Sequence, residues 1–249
     1  MLISPSQIII QSVQFYKTHW RQMAPYMLLL FLPTVIVQCL GIIGIYTYAL
    51  VPSLTWAPKV IIAVVLAAAF VFNIWVAVAM ARGTKMLLRQ EPGGDNWQNI
   101  FNTSSHLIWP AFFTAILIAV TVLLGLILFV VPGIIFTVWY NFGYYSAIFE
   151  NKKGFGALAY SKQLVMGRWW AVCLRLLAPF VLFIAIGGVL RYIITAPLGF
   201  LPFSAFAILL IQGLFATIIN VLMAPLFYSS GLILFLNAKE TPVETTPQI

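Results

Sequence analysis

The sequence predicts an all-α, polytopic membrane protein, and three observations carry that prediction. Of 249 positions, 63% are hydrophobic and 7% charged, which leaves too little polar surface to cover a water-soluble globule of this size. Apolar runs of the roughly 20 helical residues needed to cross a hydrocarbon core of about 30 Å recur six times. The two-residue alternation of a membrane barrel is missing, and lipid offers no partner to a free backbone N–H or C=O, so helices are the expected solution.

The first run covers about residues 23–50 and the second about 60–81, joined by the short turn VPSLTWAPK. The third, about 107–131, leads through Pro132-Gly133 into the fourth, about 134–149. The fifth, about 169–192, and the sixth, about 205–236, are separated by APLGFLPF. The expectation is three hairpins in one membrane domain, residues 1–237, followed by a polar, disordered tail at 238–249. The first 20 residues hold no uninterrupted apolar core of the signal-peptide kind, so the first span is expected to target the chain. Cys39 and Cys173 fall inside spans, where they read as small buried hydrophobes.

An amphipathic, interfacial helix is expected ahead of each hairpin. Over residues 4–20, Ser4 is placed to cap and Pro5 to occupy the first turn. Ile9, Val13, Tyr16 and Trp20 then repeat at helical spacing, with Gln7, Gln11, Gln14 and Thr18 near the opposite face. A second copy follows the turn EPGGD, where Asp95 or Asn96 can cap NWQNIFNTSSHLIW. The third is NKKGFGALAYSKQLVMGRWW, residues 151–170, with Phe155, Leu158, Val165 and Trp169 on one side. Each unit ends on a tryptophan, Trp20, Trp109 or Trp169, and with Trp170 these are expected at headgroup level, where aromatic belts lie. Three units in the same orientation are parallel repeats, unlike the inverted repeats of many secondary transporters.

The net charge of +8 is distributed unevenly. Eleven of the 13 Lys and Arg side chains, among them Arg82, Lys85, Lys152, Lys153, Lys162, Arg168 and Arg175, fall on the side of both termini, against Lys59 and Arg191 opposite. Cytoplasmic loops carry such an excess, so both termini are expected in the cytoplasm of a cell bounded by an inner membrane. The same cations are expected to meet anionic headgroups at the inner surface, each contributing about 1 kcal/mol, which explains the charge without nucleic acid.

Side chains able to carry catalysis are scarce. The acids are Glu91, Asp95, Glu150, Glu240 and Glu244, and only Glu150 borders a span. A helix-end carboxylate near Lys152 and Lys153 is the simpler reading of it. His19 and His106 take corresponding places before spans one and three but lack the acid or Cys that would complete a metal site. Ser229 and Ser230 have no base, and KKGFGA follows no strand. No cofactor, metal or catalytic residue is therefore expected. Within the spans, Gln38, Asn73, Asn141 and Asn220 place one amide each in spans one, two, four and six. Their expected role is hydrogen bonding between helices, the alternative being to line a polar cavity.

VPGI at 131–134, Glu150, and GALAYSKQLVMGRWW at 156–170 together resemble a fingerprint of a bacterial family. That family is the six-span membrane domain associated with glycerophosphoryl diester phosphodiesterases, with the related YciC-like inner-membrane proteins. The resemblance rests on Pro132, Gly133, Glu150, Gly156, Ala157, Leu158, Ser161, Leu164, Gly167 and Trp169. It implies a six-span fold. In the phosphodiesterase members it implies catalysis by a separate soluble barrel, which these 249 residues do not contain. The expected function is therefore non-enzymatic: organising lipid, or a membrane-protein partner, in membrane and envelope homeostasis. A permease or channel for a small or lipid-like solute is the alternative, and an intramembrane lipid enzyme acting through Glu150 a more distant one.

Overall fold

The computed structural model describes residues 2–50, 56–200 and 202–241, and all their side chains except those of residues 43, 45–50 and 56–58. Of the turn expected at 51–59, residues 51–55 lie outside these residues, as does most of the expected tail, while 56–59 belong to the helix that follows. Among those described, all regular structure is helical. Nine α-helices follow one another: α1 Pro5–Leu50, α2 Trp56–Leu88, α3 Trp97–Thr103, α4 Ile108–Leu128, α5 Val130–Tyr140, α6 Gly143–Phe149, α7 Phe155–Val165, α8 Trp169–Thr195 and α9 Ala205–Glu240.

Among the described residues, five stretches are long and apolar enough to cross a membrane: Pro5–Ile42, Lys59–Leu88, Ser105–Leu128, Trp169–Phe200 and Ala205–Glu240. The fourth expected span, 134–149, is interrupted at Asn141-Phe142 and becomes α5 and α6. Pro132-Gly133 does not make the turn before it. The chain turns three residues earlier, at Phe129, whose backbone is extended (φ −162°, ψ 153°). Pro132 then sits in the first turn of α5, where a missing N–H costs no helical hydrogen bond.

The local start signals operate as their chemistry suggests. Ser4 Oγ accepts the Gln7 amide N–H at 3.3 Å while Gln7 Oε1 accepts the Ser4 N–H at 3.3 Å, a reciprocal cap. Asn96 caps α3 through the Asn99 N–H at 3.0 Å. The first amphipathic helix and the first span are one continuous helix, kinked at His19 (φ −114°, ψ 18°). Its buried residues are Ile8, Ser12, Phe15 and Met23; the first three are displaced by one residue from the expected Ile9, Val13 and Tyr16, and the expected Trp20 is exposed. The buried residues pack against other protein helices, so the chain around them decides which face turns inward.

Helix α9 lies at the centre, packed against α1, α2 and α8, while α4 and α5 pair as a hairpin carrying α6 and α7 at its base. The densest packing gathers where both termini and most of the cations lie. Ile8, Val138, Phe142, Tyr145, Val165, Val172 and Leu232 through Phe235 form one cluster there, and Phe15, Met23, Tyr26, Val76 and Met80 a second. Away from that end the helices show large apolar side chains outward, among them Leu32, Ile61, Val64, Phe180 and Ile193. Such an apolar belt is compatible with a membrane as its solvent.

Candidate functional site: a basic cavity at the charged end

Arg82 and Lys85 stand three residues apart near the end of α2, hence on one face of it. Arg82 is held by the end of α3: its Nη1 donates to Ser104 Oγ at 3.1 Å and to Thr103 Oγ1 at 3.3 Å. Lys85 Nζ lies 4.8 Å from the centroid of the Phe149 ring, which steadies the ammonium over an aromatic face. With His106, Asn151 and Lys153 these side chains surround a cavity of about 590 Å³, with Glu91 the one carboxylate on its wall. Leu107, Pro110, Ile148 and Phe149 supply an apolar floor. Three cations and an imidazole facing one carboxylate over an apolar base suit an anionic group that carries a hydrophobic tail.

The expected interfacial residues divide in this frame. Trp20, Trp109 and Trp170 are exposed, Trp20 beneath the Arg21 guanidinium at 5.6 Å and Trp109 stacked on Phe113. Trp169 is partly buried and turns its indole N–H toward the Ile135 carbonyl at 3.4 Å. Lys152 and Lys153 are exposed in the loop between α6 and α7, and of the two only Lys153 reaches the cavity. Arg168 has a structural task. Its guanidinium donates to the Ala238 carbonyl at 2.6 Å and to the Thr241 carbonyl, binding the carbonyls that end α9. Burial lowers the pKa of this guanidinium from its usual value. Gly167, at φ +80°, makes the turn that aims Arg168 there, a backbone state natural to glycine.

Glu150 stands at the end of α6, two residues before Lys152, and its ion-pair partner is Lys239 of α9 at 2.7 Å. Burial first, and the Glu150 charge second, raise the pKa of nearby Tyr160, with Lys239 acting the other way. Ala157 and Ser161 are fully buried where α7 packs, but Gly156 faces open space, so close packing is not its role.

The four amides also separate. Gln38 Oε1 accepts the Thr217 hydroxyl at 2.6 Å, and its amide lies where a side chain on Gly213 would collide. Asn73 donates to the Ala69 carbonyl at 3.0 Å and faces Thr34 Oγ1 at 3.4 Å. These two tie helices together. Asn141, at the α5–α6 break, lines two further cavities of about 510 and 390 Å³ together with Thr137 and Tyr144. Asn220 is exposed on α9. Among the described residues no three His, Cys, Asp or Glu side chains are grouped to hold a metal ion.

Comparison with protein families, with curated proteins and with solved structures finds no match to this chain. Arg82 and Lys85, which the sequence reading counted only as inner-side charge, prove to be the core of the cavity. Their signal was the three-residue spacing at a helix end that faces two loops.

Proposed function

We propose that the protein is a non-enzymatic, multi-pass inner-membrane protein that holds anionic lipid headgroups at its cytoplasmic side and so organises lipid around itself. The observation that carries this reading is the cavity of about 590 Å³ bearing Arg82, Lys85, His106 and Lys153 over an apolar floor. Both termini lie in the cytoplasm on this reading, because the positive excess falls on their side. Three helical hairpins enter the membrane from that side, and exposed Trp20, Trp109 and Trp170 meet the headgroups. The resemblance of residues 131–170 to the phosphodiesterase-associated and YciC-like membrane domains fits this assignment of family and membrane. Glu150 is engaged by Lys239, which draws support away from a catalytic role.

The test is retention of lipid by the purified chain. Protein extracted from bilayers of mixed phosphatidylglycerol and phosphatidylcholine should retain phosphatidylglycerol in native mass spectra. The Lys85→Gln, Lys153→Gln double variant should retain it about thirtyfold less, since two headgroup contacts of about 1 kcal/mol each are removed. Equal retention by both proteins would sink the proposal.

A second reading, a permease for a small or lipid-like solute, draws on Asn141, Thr137 and Tyr144 lining two cavities beside a broken helix. Solute flux into reconstituted vesicles that is lost in Asn141→Leu would favour it over the first.

A further inference from the structure

The α4–α5 hairpin is tied to α7 well below its tip. Thr114 Oγ1 of α4 accepts the Gly154 N–H at 3.2 Å, just ahead of α7. On the other arm, Ser161 Oγ of α7 donates to the Trp139 carbonyl at 2.7 Å, and Lys162 Nζ lies 4.5 Å from the centroid of the Trp139 ring. Thr114 and Trp139 therefore sit at the level of α7, whose surroundings carry Lys152, Lys153, Lys162 and Arg168. At 1.5 Å per residue, about 21 Å of α4 runs from Thr114 to Leu128 and about 14 Å of α5 from Trp139 back to Val130. A hydrocarbon core is about 30 Å thick. By contrast α2 has 33 residues and α9 has 36, or about 50 and 54 Å. Counted from Ser105, α4 is long enough to cross, but its first turns are spent at the level of the lysines.

The chemistry of the tip agrees. From Val122 to Phe136 no side chain carries a polar atom, and Ile127, Leu128, Phe129, Val130 and Val131 are 65–72% exposed. The last turns of α8 and the link to α9 instead offer Arg191, Tyr192, Thr195 and Ser204. Pro132 removes one backbone donor at the tip, the Phe129 N–H reaches the Gly125 carbonyl at 3.0 Å, and the Gly133 N–H the Phe129 carbonyl at 3.4 Å. A Cβ on Gly125 would stand 3.0 Å from the Gly133 Cα, so the two arms touch backbone to backbone in the manner of small-residue membrane contacts.

We propose that α4–α5 is a re-entrant hairpin: it enters from the side of α7, turns inside the bilayer, and meets acyl chains with its tip, never the water on the far side. The crossings are then α1, α2, α8 and α9, and both termini still share one side. This stands independently of the headgroup cavity.

The experiment places single cysteines in the full chain with Cys39→Ser and Cys173→Ser, reconstituted in sealed vesicles of one orientation. Phe129→Cys and Val131→Cys report on the tip, Ser204→Cys on the far side and Lys153→Cys on the near side. A charged, membrane-impermeant maleimide should modify Ser204→Cys from one side and Lys153→Cys from the other. It should reach the tip cysteines from neither side until detergent is added, when labelling should rise at least tenfold. A fluorophore at position 129 should be quenched by lipids brominated along their acyl chains. Labelling of the tip from the Ser204 side would overturn the proposal. So would protection that persists in detergent, since the tip would then lie against a second copy or another protein.

Discussion

Glu150 at the end of α6 and Lys239 in the last turn of α9 meet at 2.7 Å across 89 positions of sequence. The carboxylate side chain is 20% exposed and the ammonium 44%. A pair this open to water contributes about 0.2–1 kcal/mol. Glu150→Gln should lower the thermal midpoint in detergent by a few degrees at most, and the reversed pair Glu150→Lys with Lys239→Glu should regain most of the loss. Lipid turnover in membranes holding Glu150→Gln should match the parent, because the side chain serves packing. A collapse of turnover with unchanged stability would return Glu150 to the catalytic reading.

Arg168 should matter more than any ion pair at this end. Its hydrogen bonds to the Ala238 and Thr241 carbonyls involve a charged donor and partly buried acceptors, the class worth about 1.5–3 kcal/mol. Arg168→Ala should cost about that much and expose residues near 238 to limited proteolysis. Arg168→Lys should recover only part, since one ammonium cannot reproduce a planar fork bonded to two carbonyls. Full recovery by lysine would reduce the interaction to charge at a helix end.

How far these contacts were legible in the sequence depends on their range. Ser4 and Asn96 cap as their residue types suggest because a cap is decided within three positions. The Pro132-Gly133 pair misled for a local reason as well: it suits a turn, but Pro also suits the first turn of a helix, and Phe129 could break the chain without a marker residue. The long apolar runs were legible from composition, while the interruption at Asn141-Phe142 was not, since neither residue forbids a helix. The basic cavity was legible only in its Arg82–Lys85 spacing, because His106 and Lys153 come from two other stretches that only tertiary packing brings to them.

Gly213 on α9 and Gln38 on α1 form a pair whose coupling can be measured. Gln38 fills the space a side chain at 213 would need, and bonds the Thr217 hydroxyl at 2.6 Å. Gly213→Ala should destabilise by about 1–3 kcal/mol through overpacking. In the Gln38→Ala background the same change should be nearly neutral, giving a coupling energy of comparable size in a double-mutant cycle. Additive losses would mean the two helices shift apart without using this contact.

The cavity makes a final prediction about salt. On the proposed function Arg82, Lys85 and Lys153, which line the cavity, hold a headgroup by charge, and charge is screened by salt: the Debye length falls from about 10 Å at 0.1 M to about 3 Å at 1 M ionic strength. Preference for phosphatidylglycerol over phosphatidylcholine should therefore shrink several-fold between those salt concentrations. An apolar tail held on Leu107, Pro110 and Ile148 is indifferent to screening, so residual binding at 1 M should lose its headgroup preference rather than vanish. Arg191→Gln, which removes a cation at the opposite end, should leave the salt profile unchanged, whereas Lys85→Gln should flatten it. A profile equally flattened by both variants would mean that net charge attracts the lipid and that the cavity does not select it.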